Sequence, residues 1–337
     1  MDQNKKTISI KDIAELTGFS TATVSRVLNN KGGYSKKTEE RIKNIIDEYG
    51  YVSNLAAKSI RVSKSYTIGL IVPDIQNEFF SNLASSIEDF FYKRNYSVFI
   101  CNSSNSIEKE LDYFKRLESQ SVDGIIDVTC QKAFSENTLR KNIPIVFLDR
   151  IPVSNIDFPS VTSNDYEGIC HSTQSLIDSG CKNIIYIDAQ VRTSQNNRLT
   201  AYKDTLQKNN LPIDRNKILL GNILDPSRVQ GEVTVTEYLN TGGKIDGIIC
   251  PSDSLAVGAL YAVKRAGLDV PKDIKIIGFD NSIQSQITNP PISTISRSPE
   301  LMAKKTSQLL MDLIEDNPLK EKHIVVNTDL IIRSSSK

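Results

Sequence analysis

No run of eighteen or more apolar residues occurs in this 337-residue sequence, so no membrane-spanning helix is expected. The opening residues, MDQNKKTISI, lack the apolar segment of a signal peptide, and a cytoplasmic protein is expected. Nucleotide and nucleophile signatures are missing too: no G-x-G-x-x-G follows a strand pattern, and neither G-x-x-x-x-G-K-[ST] nor G-x-S-x-G appears. An enzyme on a doubly wound fold therefore finds no support. There are two histidines, His171 and His323, neither with a partner nearby in sequence. The five cysteines (Cys101, Cys130, Cys170, Cys181 and Cys250) are scattered without paired metal spacing, which suits buried free thiols in a reducing compartment. No metal and no cofactor is expected. Low-complexity segments and short repeats are absent. No leucine heptad follows Leu330, which favours a dimer over a coiled-coil-tethered tetramer.

What is present is unevenly distributed. The net charge of +1 combines a basic head with an acidic body: residues 1–64 carry 12 Lys+Arg against 7 Asp+Glu, and the remaining 273 carry 29 against 33. A basic head on an acidic body points weakly towards nucleic acid.

The segment Ser9 to Asn30, SIKDIAELTGFSTATVSRVLNN, reads as two short helices joined by a tight turn. Ile10, Ile13, Ala14 and Leu16 supply an apolar face to the first. Gly18 stands where the turn needs a residue free to take positive φ, Phe19 can plug the angle, and Ser20 caps a second helix over 21–29. Val24, Val27 and Leu28 face inward. Thr21, Ala22, Ser25, Arg26 and Asn29 remain outside as a small-then-basic set able to enter a major groove. Arg26 suits a bidentate contact with guanine, Thr21 and Ala22 suit thymine methyls, and Ser20, Thr23, Ser25 and Asn29 suit phosphates. A third helix over 36–49, closed by Gly50, completes a three-helix head over 1–52. One head makes few contacts, so a symmetric homodimer on palindromic operator DNA is expected. Residues 53–65 hold helix formers but little to bury, which predicts a hinge linker that becomes helical only with DNA and a partner subunit.

From residue 66 onward strands and helices alternate. Strands are expected at 67–73, 97–102, 122–129 and 144–149, with helices at 79–93, 107–120 and 134–141. A second series has strands at 183–189, 246–251 and 274–279, with helices at 167–179, 196–209, 227–240 and 252–266. Two doubly wound parallel sheets follow, forming lobes whose C-terminal strand ends can share a cleft. Polar groups collect at those ends: Asn77 with Phe79 and Phe80; Asp149 and Arg150; Arg192, Ser194 and Arg198; Ser252 and Asp253; Asp280 and Asn281. Carboxylates accept from vicinal hydroxyls, a guanidinium donates in a planar fork, and phenyl rings cover the C–H face of a sugar.

The chain resembles the lactose-repressor (LacI/GalR) family of bacterial transcription regulators. The likeness runs through T-I-x-I-K-D-I-A, S-T-A-T-V-S-R-V-L-N-N, Tyr49-Gly50-Tyr51, Asn54-Leu55-Ala56-Ala57-Lys58-Ser59-Ile60-Arg61 and Ile68-Gly69-Leu70-Ile71-Val72-Pro73-Asp74. The resemblance implies an α/β protein: a helix-turn-helix head on a two-lobed, periplasmic-binding-protein-like core with three crossovers, near Asn164, Ile295 and Val325. Lobe 1 would comprise about 66–164 and 296–325, and lobe 2 about 165–295 and 326–337. Ile60 matches the residue that the family wedges into the minor groove. The cleft is similar to that of ribose-binding members, which carries Asn77, Phe79, Phe80, Asp149, Arg150, Arg198 and Asp280 into the ligand site. Two departures stand out: Ser252 replaces the usual asparagine, and Arg297 the usual glutamine. Ser252 leaves space, and Arg297 adds a cation suited to a phosphorylated or acidic ligand.

These features predict a nucleoid-associated repressor of a sugar-utilisation operon, released when a small sugar, ribose or a similar pentose, binds between the lobes. Within the family, a corepressor-dependent member, or a global catabolite regulator answering to a phosphorylated carrier protein, remains open. A secreted sugar-binding protein is disfavoured by the head.

Overall fold

The computed structural model describes residues 8–28, 31–51, 64–135, 138, 142–188, 197–221 and 227–337. Residues 1–65 and 66–337 form two compact units.

In the first unit, helices α1 (Ile10–Thr17), α2 (Thr21–Leu28) and α3 (Lys36–Tyr49) enclose Ile13, Ala14, Val24, Val27 and Ile42. Ser9 and Asp12 close a reciprocal capping box at the start of α1, and Gly18 ends that helix at φ 72°. Ser20 Oγ accepts from the Thr23 amide at 3.1 Å, and Gly50 ends α3 at φ 62°. One inward assignment fails: Leu16 is 44% exposed, and Thr17 is buried in its stead. The Thr17 hydroxyl escapes the cost of burial by donating to the Ile13 carbonyl at 2.6 Å. The expected hinge helix lies outside the described residues.

The second unit holds two sheets. The first sheet contains β1 (Thr67–Val72), β2 (Ser97–Asn102), β3 (Gly124–Asp127), β4 (Ile145–Leu148), β5 (Ser160–Ser163) and β11 (His323–Val326), in the order β11-β5-β4-β3-β1-β2 and parallel throughout. The second sheet contains β6 (Ile184–Asp188), β7 (Ile218–Leu220), β8 (Gly247–Ile249), β9 (Lys275–Phe279), β10 (Ser293–Ser296) and β12 (Asp329–Ile331), ordered β12-β10-β9-β8-β6-β7. Its pairs are parallel except β10 with β12. Near-continuous apolar runs such as TIGLIV in β1 fit strands covered on both faces.

Around the first sheet pack α4 (Glu78–Tyr92) and α5 (Ile107–Ser119), and around the second α6 (Asp165–Asp178), α7 (Asn197–Lys208), α8 (Ser227–Asn240), α9 (Asp253–Arg265) and the short α10 (Ile283–Ile287). Helix α11 (Pro299–Ile314) follows β10 of the second sheet yet packs on β3, β4 and β5 of the first. The chain thus passes between sheets after Ser163, after Ser296 and after Val326. Helices α8 and α9 meet backbone to backbone. A Cβ on Gly231 would lie 2.2 Å from the Leu255 carbonyl oxygen, and one on Gly258 would lie 2.0 Å from that of Arg228.

The helix expected over 134–141 is not seen at its start: Phe134 and Ser135 are not helical, and 136, 137 and 139–141 are outside the described residues. Phe134 instead sits edge-to-face against Phe114, Phe147 and Phe158, and Ala133 pairs with Val153. Burying that ring against three others outweighs the local helical pattern. No described helix is long and apolar enough to cross a membrane.

Candidate functional site

In the head, Thr21, Ala22 and Arg26 are exposed on α2, while Thr23 and Ser25 are half-buried. The Arg26 guanidinium stands 3.8 Å from the Cβ position of Gly33, beside the loop that follows. Ser20 and Thr23 share a 3.0 Å hydroxyl contact that steadies the first turn. The surface is therefore small at the N-terminus of α2 and cationic one turn later. Such a helix can approach base edges closely and place a donor fork among them. Asn29 and Ile60 lie outside the described residues.

In the core, side chains converge from both sheets. Arg297, in the crossover segment after β10, is 3% exposed, and its guanidinium touches Asp149 at the end of β4. It also reaches Asp280 at the end of β9 (3.3 Å), Asp165 at the start of α6 (3.5 Å) and the Ser163 hydroxyl (2.9 Å). Its face stacks on Phe79, 3.9 Å from the ring centroid. Arg198 on α7 pairs with Asp165 at 2.7 Å, donates to the Pro251 carbonyl at 2.5 Å and lies 3.9 Å over the Phe279 ring. Arg150 stands 3.6 Å from Asp149 and 5.6 Å from the Phe80 centroid.

Six charges in a space removed from water shift one another. Burial pulls Arg297 down to about 9 and Arg150 to about 10, so both remain protonated at neutral pH. Burial works against Arg198 as well, but Asp165 and Asp280 outweigh it and its pKa is raised. Burial pushes Asp280 well above the usual carboxylate range; Arg198 opposes the shift, while Asp253, Asp165 and Glu78 add to it. Asp253, at the first turn of α9, rises to about 6 through burial, although it accepts from Thr294 Oγ1 (2.6 Å) and the Ser282 amide (2.7 Å).

Of the residues read from sequence, the structure brings Asp149, Arg150, Arg198, Asp280, Arg297, Phe79 and Phe80 together. Asn77 and Ser252 are placed differently, as helix caps: Asn77 Oδ1 accepts from the Phe79 amide at 2.9 Å, and Ser252 Oγ from Leu255 at 3.3 Å. Arg192 and Ser194 lie outside the described residues. Arg297, read from sequence as adding a cation suited to a phosphorylated or acidic ligand, has its charge met by carboxylates from both lobes. Asp165, Ser163 and Glu78 were not anticipated. Asp165 had a sequence signal, since Asn164-Asp165 opens a helix directly after a strand. Glu78 clasps the lobes, its Oε1 accepting from the Ile283 amide at 2.7 Å.

Backbone conformation is also unusual here. Asp149 (φ 68°), Asp280 (φ 106°), Asn281 (φ 56°) and Ser298 (φ 50°) all occupy the left-handed region around the cleft. No group of three or more His, Cys, Asp or Glu able to hold a metal occurs among the described residues.

Residues 9–54 match the family described as bacterial regulatory proteins, lacI family, and residues 173–336 match a periplasmic binding protein-like domain. The chain is 33% identical to the ribose operon repressor of Halalkalibacterium halodurans, over 98% of this chain and 97% of that one. It is 31% identical to the HTH-type transcriptional regulator RegA of Clostridium saccharobutylicum, covering 97% and 99% respectively. Among solved structures, the Lac repressor dimer bound to operator and the anti-inducer ONPF superposes with a TM-score of 0.84 at 22% identity, covering 98% of this chain and 99% of that one, a likeness of fold.

Proposed function

The chain belongs to the lacI family of bacterial regulatory proteins and is a DNA-binding transcriptional repressor rather than an enzyme; on that premise we propose that it represses a sugar-utilisation operon and is released by a small sugar bound between its lobes. The observation that carries the sugar reading is the meeting of Asp149, Arg150, Asp280 and Arg297, from strand ends of both sheets, with Arg198 from the first turn of α7. Carboxylates and guanidinium forks beside Phe79 match the alternating polar rim and apolar faces of a sugar ring. Ribose or a related pentose is the first candidate, in line with the name of the ribose operon repressor that it resembles.

Arg26 reads guanine, Thr21 and Ala22 fit thymine methyls, Ser20, Thr23, Ser25 and Asn29 hold phosphates, and Ile60 wedges the minor groove. The protein acts as a homodimer on a palindromic operator in the cytoplasm, at the nucleoid. Edge strand β2 and the end of α4 offer Phe99, Ile100 and Tyr92 to solvent, apolar surface suited to a second copy. Domain limits follow the same reading: head to 52, hinge over 53–65, then the two-lobed core.

Ligand binding across the lobes exchanges the Arg297 and Glu78 contacts for contacts to the sugar and shifts the lobes. Repression is lost if the ligand favours the DNA-incompetent state by several kcal/mol. Gel-shift titration on fragments upstream of sugar operons, with and without ribose, tests this. Release by ribose is expected. Tighter binding with sugar would reverse the sign to corepression, and dependence on a phosphorylated protein alone would overturn the sugar reading.

A further inference from the structure

The groups that a sugar would need in this cleft are already engaged, by a side chain of the protein itself. Arg297 commits every nitrogen of its guanidinium. Nη2 touches Asp149, Nη1 faces Asp280 at 3.3 Å, and Nε donates to the Ser163 hydroxyl at 2.9 Å with Asp165 at 3.5 Å. Its flat face covers the Phe79 ring, 3.9 Å from the centroid. A sugar makes the same demands: its hydroxyls donate to carboxylates, and its C–H face lies on an aromatic ring. A guanidinium copies such an edge, with N–H donors in one plane and a face that stacks. The space left over is small. The cavity between α4, the loop after β9 and the start of α11 measures about 160 Å³, against roughly 300–1,000 Å³ for ligand pockets in general. Phe79 and Asp280 reach its wall, whereas Asp149, Arg150 and Arg198 do not line it. Ser298, the residue after Arg297, is held at φ 50° in left-handed backbone, a conformation that persists only where surrounding contacts impose it.

We propose that Arg297 is a built-in occupant of the effector site, its guanidinium holding Asp149, Asp280 and the Phe79 ring in place of a ligand, so that an effector enters only by displacing it. The proposal rests on reading this cleft as the effector site. Arg297 then sets the threshold of the response. Its charge is held by three carboxylates away from water, so it leaves only when other donors satisfy the same acids. A site filled by its own side chain for about nine-tenths of the time binds a ligand about tenfold more weakly than the same site left clear. Loosening this plug therefore tightens ligand binding, the opposite of what loss of a ligand contact does.

Calorimetric titration of the full chain with ribose, in the parent, Arg297→Ala and Arg297→Lys, tests the proposal. Arg297→Ala is expected to bind ribose about tenfold more tightly than the parent. Arg297→Lys keeps the charge but not the planar fork, and is expected to fall between them. Where Arg297→Ala does not fold, Arg297→Lys carries the comparison. Methylguanidinium should compete with ribose in Arg297→Ala and not in the parent, because it refills the place that the side chain has left. Ribose binding no tighter in the variants than in the parent would overturn the proposal while leaving a sugar-responsive cleft. No heat from ribose in any of the three, in protein that still binds operator, would overturn the sugar reading instead. Thermal melts then decide the plug: methylguanidinium stabilising Arg297→Ala but not the parent upholds it, and equal effects on both overturn it.

Discussion

The guanidinium of Arg297 touches the carboxylate of Asp149 across the two sheets, so a residue of the crossover after β10 closes onto the end of β4. The contact is almost wholly buried, and Asp280 and Asp165 share it. Removing one partner of such a pair strands the other in a poor solvent. Arg297→Met is expected to lower the unfolding free energy of the core by about 3–5 kcal/mol. The double variant Arg297→Met, Asp149→Asn should recover part of that loss in urea denaturation. An additive double variant would show that the two residues do not depend on each other.

Asp253 gives the stability a pH signature. Burial raises its carboxyl from 3.8 to about 6, so the folded protein keeps a proton between those values that the unfolded chain has released. Its contribution is full below about pH 4, is lost as pH climbs towards 6, and is level above that. The shift corresponds to roughly 3 kcal/mol. Thermal melts of Asp253→Asn and the parent from pH 4 to 7 should diverge in slope over that window and run parallel above it.

Ala for Gly in a helix ordinarily stabilises, and in this core the sign should reverse. Gly231→Ala or Gly258→Ala would drive a methyl group into carbonyl oxygens of the facing helix, so α8 and α9 must part. A loss of about 1–3 kcal/mol is expected for each, against the gain of roughly 1 kcal/mol that propensity alone would give. Denaturant midpoints of the two variants decide it.

On the head, Arg26→Ala should weaken operator binding by about 1–3 kcal/mol while leaving binding to unrelated duplex nearly unchanged. Competition gel shifts with specific and random DNA read the ratio directly. Equal losses on both would make Arg26 a phosphate contact.

Much of this architecture could be read from residues because strong local signals agreed. Gly18, Ser20 and Gly50 mark the head helices by turn and cap chemistry, and apolar runs mark β1, β4 and β9. What escaped was polar or short. Strand β10 reads S-T-I-S, which looks like a loop until its buried hydroxyls find partners: Thr294 donates to Asp253, and Ser293 to the Arg333 carbonyl. Strands β7 and β12 span three residues each, too few for any period to show. Helix α11 carried its own start signal in Ser298-Pro299, yet its attachment to the opposite sheet is a tertiary fact. In the cleft the chemical types at strand ends were legible. Their pairing was not, because whether Arg297 is free or neutralised depends on distances between segments over a hundred residues apart.

The left-handed backbone at Asp149 and Asp280 limits how the pocket can be retuned. Side chains other than glycine, asparagine and aspartate pay about 1–2 kcal/mol in that conformation. A descendant adapting to a different metabolite would find these two corners nearly frozen. New selectivity would have to arise at freer neighbours such as Asn82, Ser296 or Glu300, around two corners held to aspartate, asparagine or glycine.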